Sequence, residues 1–167
     1  MEGQLQGILE ALTFSAHLPE DVVRQFAVRG ELEQCPAGTV LFREGSPAFA
    51  LYLVVSGRVA LEMRVPGRGD VRILTLGPGD MIGWSSLVGQ RKMTATAVAI
   101  EDTQSIKLPA VTLQELCDQD HHFGYHLMRR MAEALAQRLL ATRLQLLDLF
   151  SDTVTHEPGT ARDGDGR

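Results

Sequence analysis

The segment LGPGDMIGWSSLVGQRKMTA, residues 76–95, is the part of the sequence that decides the fold. It begins as a Gly/Pro turn, continues as a short strand at Met81 and Ile82, and leads through Gly83 into a brief helix. A loop with two basic residues follows before strand-like residues resume. A strand, a glycine and a helix start together expose backbone N–H groups, and such a set of donors suits an anion. The segment therefore predicts a phosphate-binding element.

Short β-rich runs lie on both sides of this segment and are separated by Gly or Pro. The runs are residues 31–35, 39–43, 50–56, 58–65, 70–76, 81–82, 93–100 and 102–108. Three of the glycines, Gly38, Gly45 and Gly57, fall at tight turns that we expect to need a positive φ. Short strands with turn signals about every 8–12 residues are typical of an antiparallel barrel or jelly roll. We therefore expect a mainly β fold, an antiparallel β-roll over residues 30–109, with a phosphate-cassette-like segment at 79–95.

Helices are predicted on both sides of the roll. Residues 1–29 carry apolar side chains at helical spacing and predict two N-terminal helices. Residues 110–150 predict two more helices, of which the second is long and begins near Asp120. The last stretch, residues 151–167, is polar and Gly-rich without an apolar face, and we expect a disordered tail there.

The composition is that of an ordinary globular chain with no targeting segment. The 167 residues carry a net charge of −5, which argues mildly against a DNA-binding main surface. The N-terminus lacks the features of a signal peptide, and no apolar run approaches the roughly 20 residues that span a bilayer. Cys35 and Cys117 have no metal-binding or redox spacing. We expect a soluble protein of the reducing cytoplasm, with no membrane contact.

Four motifs in order carry a family resemblance. They are PAGTVLFREG at 36–45, ALYLVVSGRV at 50–59, LGPGDMIG at 76–83 and MTATAVA at 93–99. Together they resemble the cyclic nucleotide-binding domain of the cAMP receptor protein and fumarate-nitrate regulator type. The resemblance covers about residues 12–150 and implies a ligand-sensing regulatory function, cAMP or cGMP as the ligand, and a homodimer.

The cassette departs from the family pattern at two positions. Nucleotide-binding members have a Gly-Glu pair, whose glutamate accepts the ribose hydroxyl, and an Arg-(Ser/Thr)-Ala triplet, whose arginine pairs with the phosphate. The pair here is Gly83-Trp84, and the triplet is Met93-Thr94-Ala95. Losing the arginine alone predicts an affinity lower by about ten- to a hundredfold or more. We therefore do not expect ordinary micromolar binding of cAMP or cGMP by the usual geometry.

Other groups could replace the missing side chains. Hydroxyls lie nearby, and Arg91 could reach inward in a loop that is one residue shorter than usual. The alternative is a solvated basic loop above a closed apolar pocket, with Trp84 and Met93 as core residues. The candidate ligand-binding residues are Gly83, Trp84, Ser85, Ser86, Arg91, Met93, Thr94, Ala95, Thr142 and Arg143.

The long helix carries a seven-residue apolar seam, which is typical of a coiled-coil contact. Its members, the predicted dimer interface, are Met128, Ala132, Leu135, Leu139, Thr142, Leu146 and Leu149. We expect a homodimer along this seam; the alternative is a helix folded wholly onto its own roll. The resemblance implies that Thr142 and Arg143 contact the base across the dimer, although Arg143 departs from the family's small polar residue. Thr142 could equally be a tolerated small polar residue of the seam.

No constellation indicates an enzyme. The sequence has neither a nucleophile–base–acid set nor a GxxxxGK[ST] loop. Cys117, His121, His122 and His126 make a zinc site conceivable, but surface histidines explain them better, so no metal is expected. Only 17 residues follow Phe150, so we expect no DNA binding unless the sequence is a piece of a longer protein. Two functions stay open: a module that senses a cyclic nucleotide or another small anionic effector, and a degenerate, ligand-independent protein-interaction domain.

Overall fold

The computed structural model describes residues 2–89 and 91–154, which form a β-roll flanked by helices. Two helices come first, α1 (Glu2–Glu10) and α2 (Glu20–Arg29), and two follow the roll, α3 (Ala110–Gln119) and α4 (His121–Val154). The strands are β1 (Glu31–Cys35), β2 (Val40–Phe42), β3 (Ala50–Ser56), β4 (Val59–Val65), β5 (Gly69–Leu76), β6 (Met81–Ile82), β7 (Thr96–Ala99) and β8 (Thr103–Pro109). The predicted fold class is confirmed.

Two four-stranded antiparallel sheets build the roll, in the orders β1-β8-β3-β6 and β2-β7-β4-β5. Side chains alternate between the faces of a strand. On β3, Tyr52 and Val54 belong to the apolar cluster inside the roll, whereas Leu51 and Leu53 are buried on the opposite face. Burial on both faces explains why β3 is apolar at almost every position instead of alternating.

A second core lies beneath the helices. The Phe26 ring on α2 lies 4.9 Å from the Phe123 ring on α4, measured between centroids. Phe123, Leu127 and Met131 are all buried, and their spacing of four residues places them on one face of α4. These residues belong to the first of two compact units, residues 1–132, and the second unit begins at residue 133.

Several elements differ from the predicted bounds by one residue at an end, and two differ by more. The strand predicted from residue 93 begins only at Thr96, because the Met93 N–H donates to the Ser46 carbonyl and the Met93 carbonyl accepts from Gly45. Helix α4 continues to Val154, so the first four residues of the predicted tail are helical; the rest of that tail lies outside the described residues. In the described part of the chain, no helix is both long enough and apolar enough to cross a membrane.

Candidate functional site

The cassette is built from a two-residue strand, a left-handed glycine and a short turn. β6 leads into Gly83, whose φ is +82°, and a 3-10 turn covers Trp84–Ser86. A Cβ at Gly83 would lie 2.6 Å from the Ala50 carbonyl oxygen, so only glycine fits there. The brief helix predicted after Gly83 is therefore a single 3-10 turn.

Met93 and Ala95 turn their side chains into the protein. Met93 is only 4% exposed, and its Cε lies 3.4 Å from the position that a Cβ on Gly83 would take. Ala95 is buried in the apolar cluster inside the roll. Met93, which the sequence resemblance matches to the family's arginine, thus places a thioether beside Gly83.

The remaining cassette residues differ in exposure. Trp84 is half-buried, so its indole is not wholly enclosed by the chain. Ser85 and Ser86 are buried, whereas Thr94 is exposed. Among the three hydroxyls of the cassette, only that of Thr94 therefore belongs to an exposed residue.

The interior of the roll is apolar next to the cassette. The cluster there consists of Ala50, Tyr52, Val54, Val59, Leu61, Leu76, Ile82, Ala95 and Ala97. The Tyr52 ring lies 5.9 Å from the Phe42 ring, and desolvation by burial raises the pKa of Tyr52. These side chains pack together as an apolar core, where burying an unpaired charge would be costly.

Arg91 lies beside α3. Its backbone is left-handed, with φ +56°, and its carbonyl accepts a hydrogen bond of 2.9 Å from the Ala48 N–H. Its side chain is exposed and lines two clefts that also include Gln114 of α3. Within residues 2–89 and 91–154, Arg91 makes no ion pair. Sequence reasoning missed Gln114, because a single glutamine on a helix belongs to no motif.

Thr142 and Arg143 lie in the second compact unit. Both are exposed, and the Thr142 hydroxyl donates a hydrogen bond of 2.9 Å to the Arg138 carbonyl within the helix. This bond occupies the donor of Thr142, while its lone pairs can still accept.

The predicted seam of α4 is largely uncovered in the single chain. Met128 is 37% exposed and Leu139 is 54% exposed, Ala132 is also exposed, and Leu135 is half-buried. Leu146 and Leu149 belong to the same helix. The face that α4 buries in the first unit is a different one, that of Phe123, Leu127 and Met131.

The histidines near the start of α4 lie close to one another and to Asp21. His122 Nε2 lies 3.5 Å from Asp21 Oδ2, and the rings of His122 and His126 are 4.7 Å apart. Desolvation raises the pKa of the Cys117 thiol, which disfavours the thiolate that zinc requires. Among the described residues, no three His, Cys, Asp or Glu side chains are grouped to hold a metal ion.

Comparison with known proteins identifies a family and relatives that resemble this chain. The family model described as the cyclic nucleotide-binding domain matches residues 32–120. The cyclic AMP receptor protein of Thermus thermophilus is 35% identical over 127 residues, 76% of this chain and 55% of that protein. A CRP-like cAMP-activated global transcriptional regulator of Mycobacterium tuberculosis is 30% identical over 118 residues, 70% of this chain and 51% of the regulator. The chain thus spans about half the length of these curated relatives.

A solved structure shows the same fold. The catabolite activator protein of Thermus thermophilus superposes with a TM-score of 0.65 at 31% identity, covering 83% of this chain and 62% of that one.

Proposed function

Because the chain belongs to the cyclic nucleotide-binding domain family, we propose that it is a non-enzymatic regulatory module that senses a small ligand and signals through a homodimer. The observation that carries the proposal is the cassette, in which β6, the left-handed Gly83 and the turn Trp84–Ser86 stand beside the apolar interior of the roll. The relatives whose names specify cAMP support ligand sensing. We place the module in the cytoplasm, in keeping with its two free cysteines.

We propose that the ligand of this chain is not bound through the charged glutamate and arginine that bind cyclic nucleotides in other family members. Trp84 stands at the family's glutamate position and buried Met93 at its arginine position. Without the arginine, cAMP or cGMP would bind about ten- to a hundredfold more weakly, or weaker still, than in members that keep it. The affinity of the roll for its effector therefore depends less on an arginine–phosphate pair than the affinity of other family members for a cyclic nucleotide does.

The exposed stripe of α4 supports the homodimer. Met128, Leu139 and Thr142 follow a seven-residue seam and are exposed in the single chain. A second copy of the helix would bury the same stripe on both sides, as in a coiled coil. Small movements of the cassette would then reach the partner through α4.

The alternative function is a ligand-independent protein-interaction domain. The position of Met93 favours it, because a thioether packed against Gly83 occupies space that a phosphate ligand would need. In this alternative, the roll is a fixed scaffold and the α4 seam alone carries the function.

Calorimetric titration separates the two functions. Purified protein is titrated with cAMP, cGMP and a panel of small anionic effectors, and its mass is measured by light scattering. Saturable heat that is weakened by Thr94→Ala supports sensing. Silence across the panel with an intact dimer supports the interaction domain, and a monomer without heat contradicts both.

A further inference from the structure

A small cleft lies between the β2–β3 loop, the cassette and the start of α3. Its volume is about 270 Å³, and we name it the α3 cleft. Its lining residues are Pro47, Ala48, Phe49, Ser86, Arg91, Ala110, Val111 and Gln114. None of them belongs to the apolar cluster inside the roll, so the α3 cleft is a different place from the proposed ligand pocket.

Two sources of positive charge lie at this cleft. The first is the guanidinium of Arg91, which has no ion-pair partner among the described residues. The second is the N-terminus of α3, where Ala110 and Val111 line the cleft. The helix has no side-chain cap and no acidic residue in its first turn, so no side chain there compensates its partial positive charge. Among the described residues, no acidic side chain lines the cleft.

A second observation, independent of the positive charge, also points to a ligand: the buried Ser86 hydroxyl has no hydrogen-bond partner among the described residues. Ser86 lines the cleft and is 1% exposed, and its Oγ makes no hydrogen bond. A buried hydroxyl without a partner costs free energy that a bound acceptor would recover. The Ser86 carbonyl already accepts a hydrogen bond of 2.9 Å from the Gln114 amide, which ties α3 to the cassette.

The walls of the cleft are fixed by backbone hydrogen bonds. The Ala110 N–H donates to the Phe49 carbonyl at 2.8 Å, and the Ala48 N–H donates to the Arg91 carbonyl at 2.9 Å. Arg91 has a left-handed backbone, a conformation that non-glycine residues adopt at a cost and that recurs at functional sites. The backbone of Arg91 is therefore held beside the cleft.

The size and rim of the cleft limit what it can hold. Phe49 is 75% exposed and Val111 is 65% exposed, so two large apolar side chains stand at its edge. Its volume lies just below the usual range of ligand pockets, about 300–1,000 Å³, so the cleft suits a ligand smaller than a drug-sized molecule. An anionic head with a short apolar group matches these features.

We propose that the α3 cleft binds a small oxyanion, a carboxylate or a phosphate, that carries a short apolar group. Arg91 and the N–H of Val111, which follows the already bonded Ala110 N–H, receive the anion. Ser86 Oγ donates to it, and the side chains of Phe49 and Val111 contact the apolar group. The adjoining cleft that Arg91 also lines contains Asp118, which would repel an anion, so the oxyanion is assigned to the α3 cleft.

NMR titration of the full chain with inorganic phosphate, phenyl phosphate and benzoate tests the site. We expect saturable shifts of the Ser86 and Val111 amides, with tighter binding of the two aromatic anions than of inorganic phosphate. Arg91→Asn removes the charge and retains a residue that tolerates a left-handed backbone. It should weaken binding about tenfold or more. Ser86→Ala should also weaken binding while leaving the free protein as stable as before or more stable.

A matched variant keeps the proposal falsifiable. Lys92→Asn removes the neighbouring charge, which does not line the cleft. It should bind the three anions as the parent protein does, and because Lys92 is not a residue of the proposed roll site, this result stands apart from success or failure of the proposed function. Equal affinities of Arg91→Asn and Lys92→Asn would overturn the proposal, as would the absence of saturable shifts at Ser86 and Val111.

Discussion

The cassette depends on a few residues whose roles follow from their backbone and burial. Gly83 is required because its φ is positive and the Ala50 carbonyl leaves no room for a Cβ. Met93 is buried and Trp84 is half-buried. The sequence resemblance matches these two residues to the family's arginine and glutamate, so we expect a cassette backbone without its two diagnostic side chains.

Replacing Gly83 with alanine should destabilise the fold. Gly83→Ala forces a Cβ to within 2.6 Å of a backbone oxygen at a φ of +82°, and we expect a loss of about 1–3 kcal/mol. Urea unfolding followed by circular dichroism measures this loss. Gly77→Ala is the matched control, because nothing lies within 4 Å of its Cβ position, and it should change stability by less than about 1 kcal/mol. Equal losses in the two variants would contradict this explanation.

Helix α4 has apolar residues on more than one face, and they differ in burial. Phe123, Leu127 and Met131 are buried in the first unit, whereas Leu139 and Leu140 are both exposed. A helix that is apolar on several sides buries more than one of them. The seam through Leu139 follows the seven-residue repeat, and Leu140 lies off it.

A charge on the seam should therefore break the dimer, and the same charge one residue away should not. Leu139→Glu places like charges opposite each other across the proposed interface, while Leu140→Glu adds the same charge off the seam. The two leucines are 54% and 59% exposed, so the pair is matched in exposure. Sedimentation equilibrium should give a monomer for Leu139→Glu and a dimer for Leu140→Glu and the parent. A monomeric parent, or equal dissociation of both variants, would count against the seam.

The core beneath the helices joins α2 and α4. Phe123→Ala removes a fully buried ring that lies 4.9 Å from Phe26, and we expect a loss of about 3–5 kcal/mol. Tyr125→Ala, two residues later and 60% exposed, should change stability by less than about 0.5 kcal/mol. Thermal and urea unfolding of both variants give the comparison. A small loss in Phe123→Ala would mean that α4 does not contribute to this core.

For the whole molecule, the roll was predictable because turn residues separate its strands. The predicted positive φ at Gly38, Gly45 and Gly57 is confirmed, and β1, β3 and β6 have the predicted bounds. The start of β7 was not predictable from the sequence. Met93, just before it, exchanges backbone hydrogen bonds with Gly45 and Ser46, which lie almost fifty residues earlier in the chain. The α3 cleft was not predictable from the sequence either. Arg91 and Gln114 are 23 residues apart in the chain, and only the fold brings them to the same cleft.

The central claim is that the molecule keeps the architecture of a cyclic nucleotide-binding domain and lacks the side chains that make cAMP a strong ligand. Isothermal titration of the parent and of the double variant Trp84→Glu/Met93→Arg with cAMP tests it most directly, with folding checked by circular dichroism. We predict weak or undetectable binding by the parent and at least about tenfold tighter binding by the double variant. Micromolar binding by the parent that the double variant does not improve would contradict the claim.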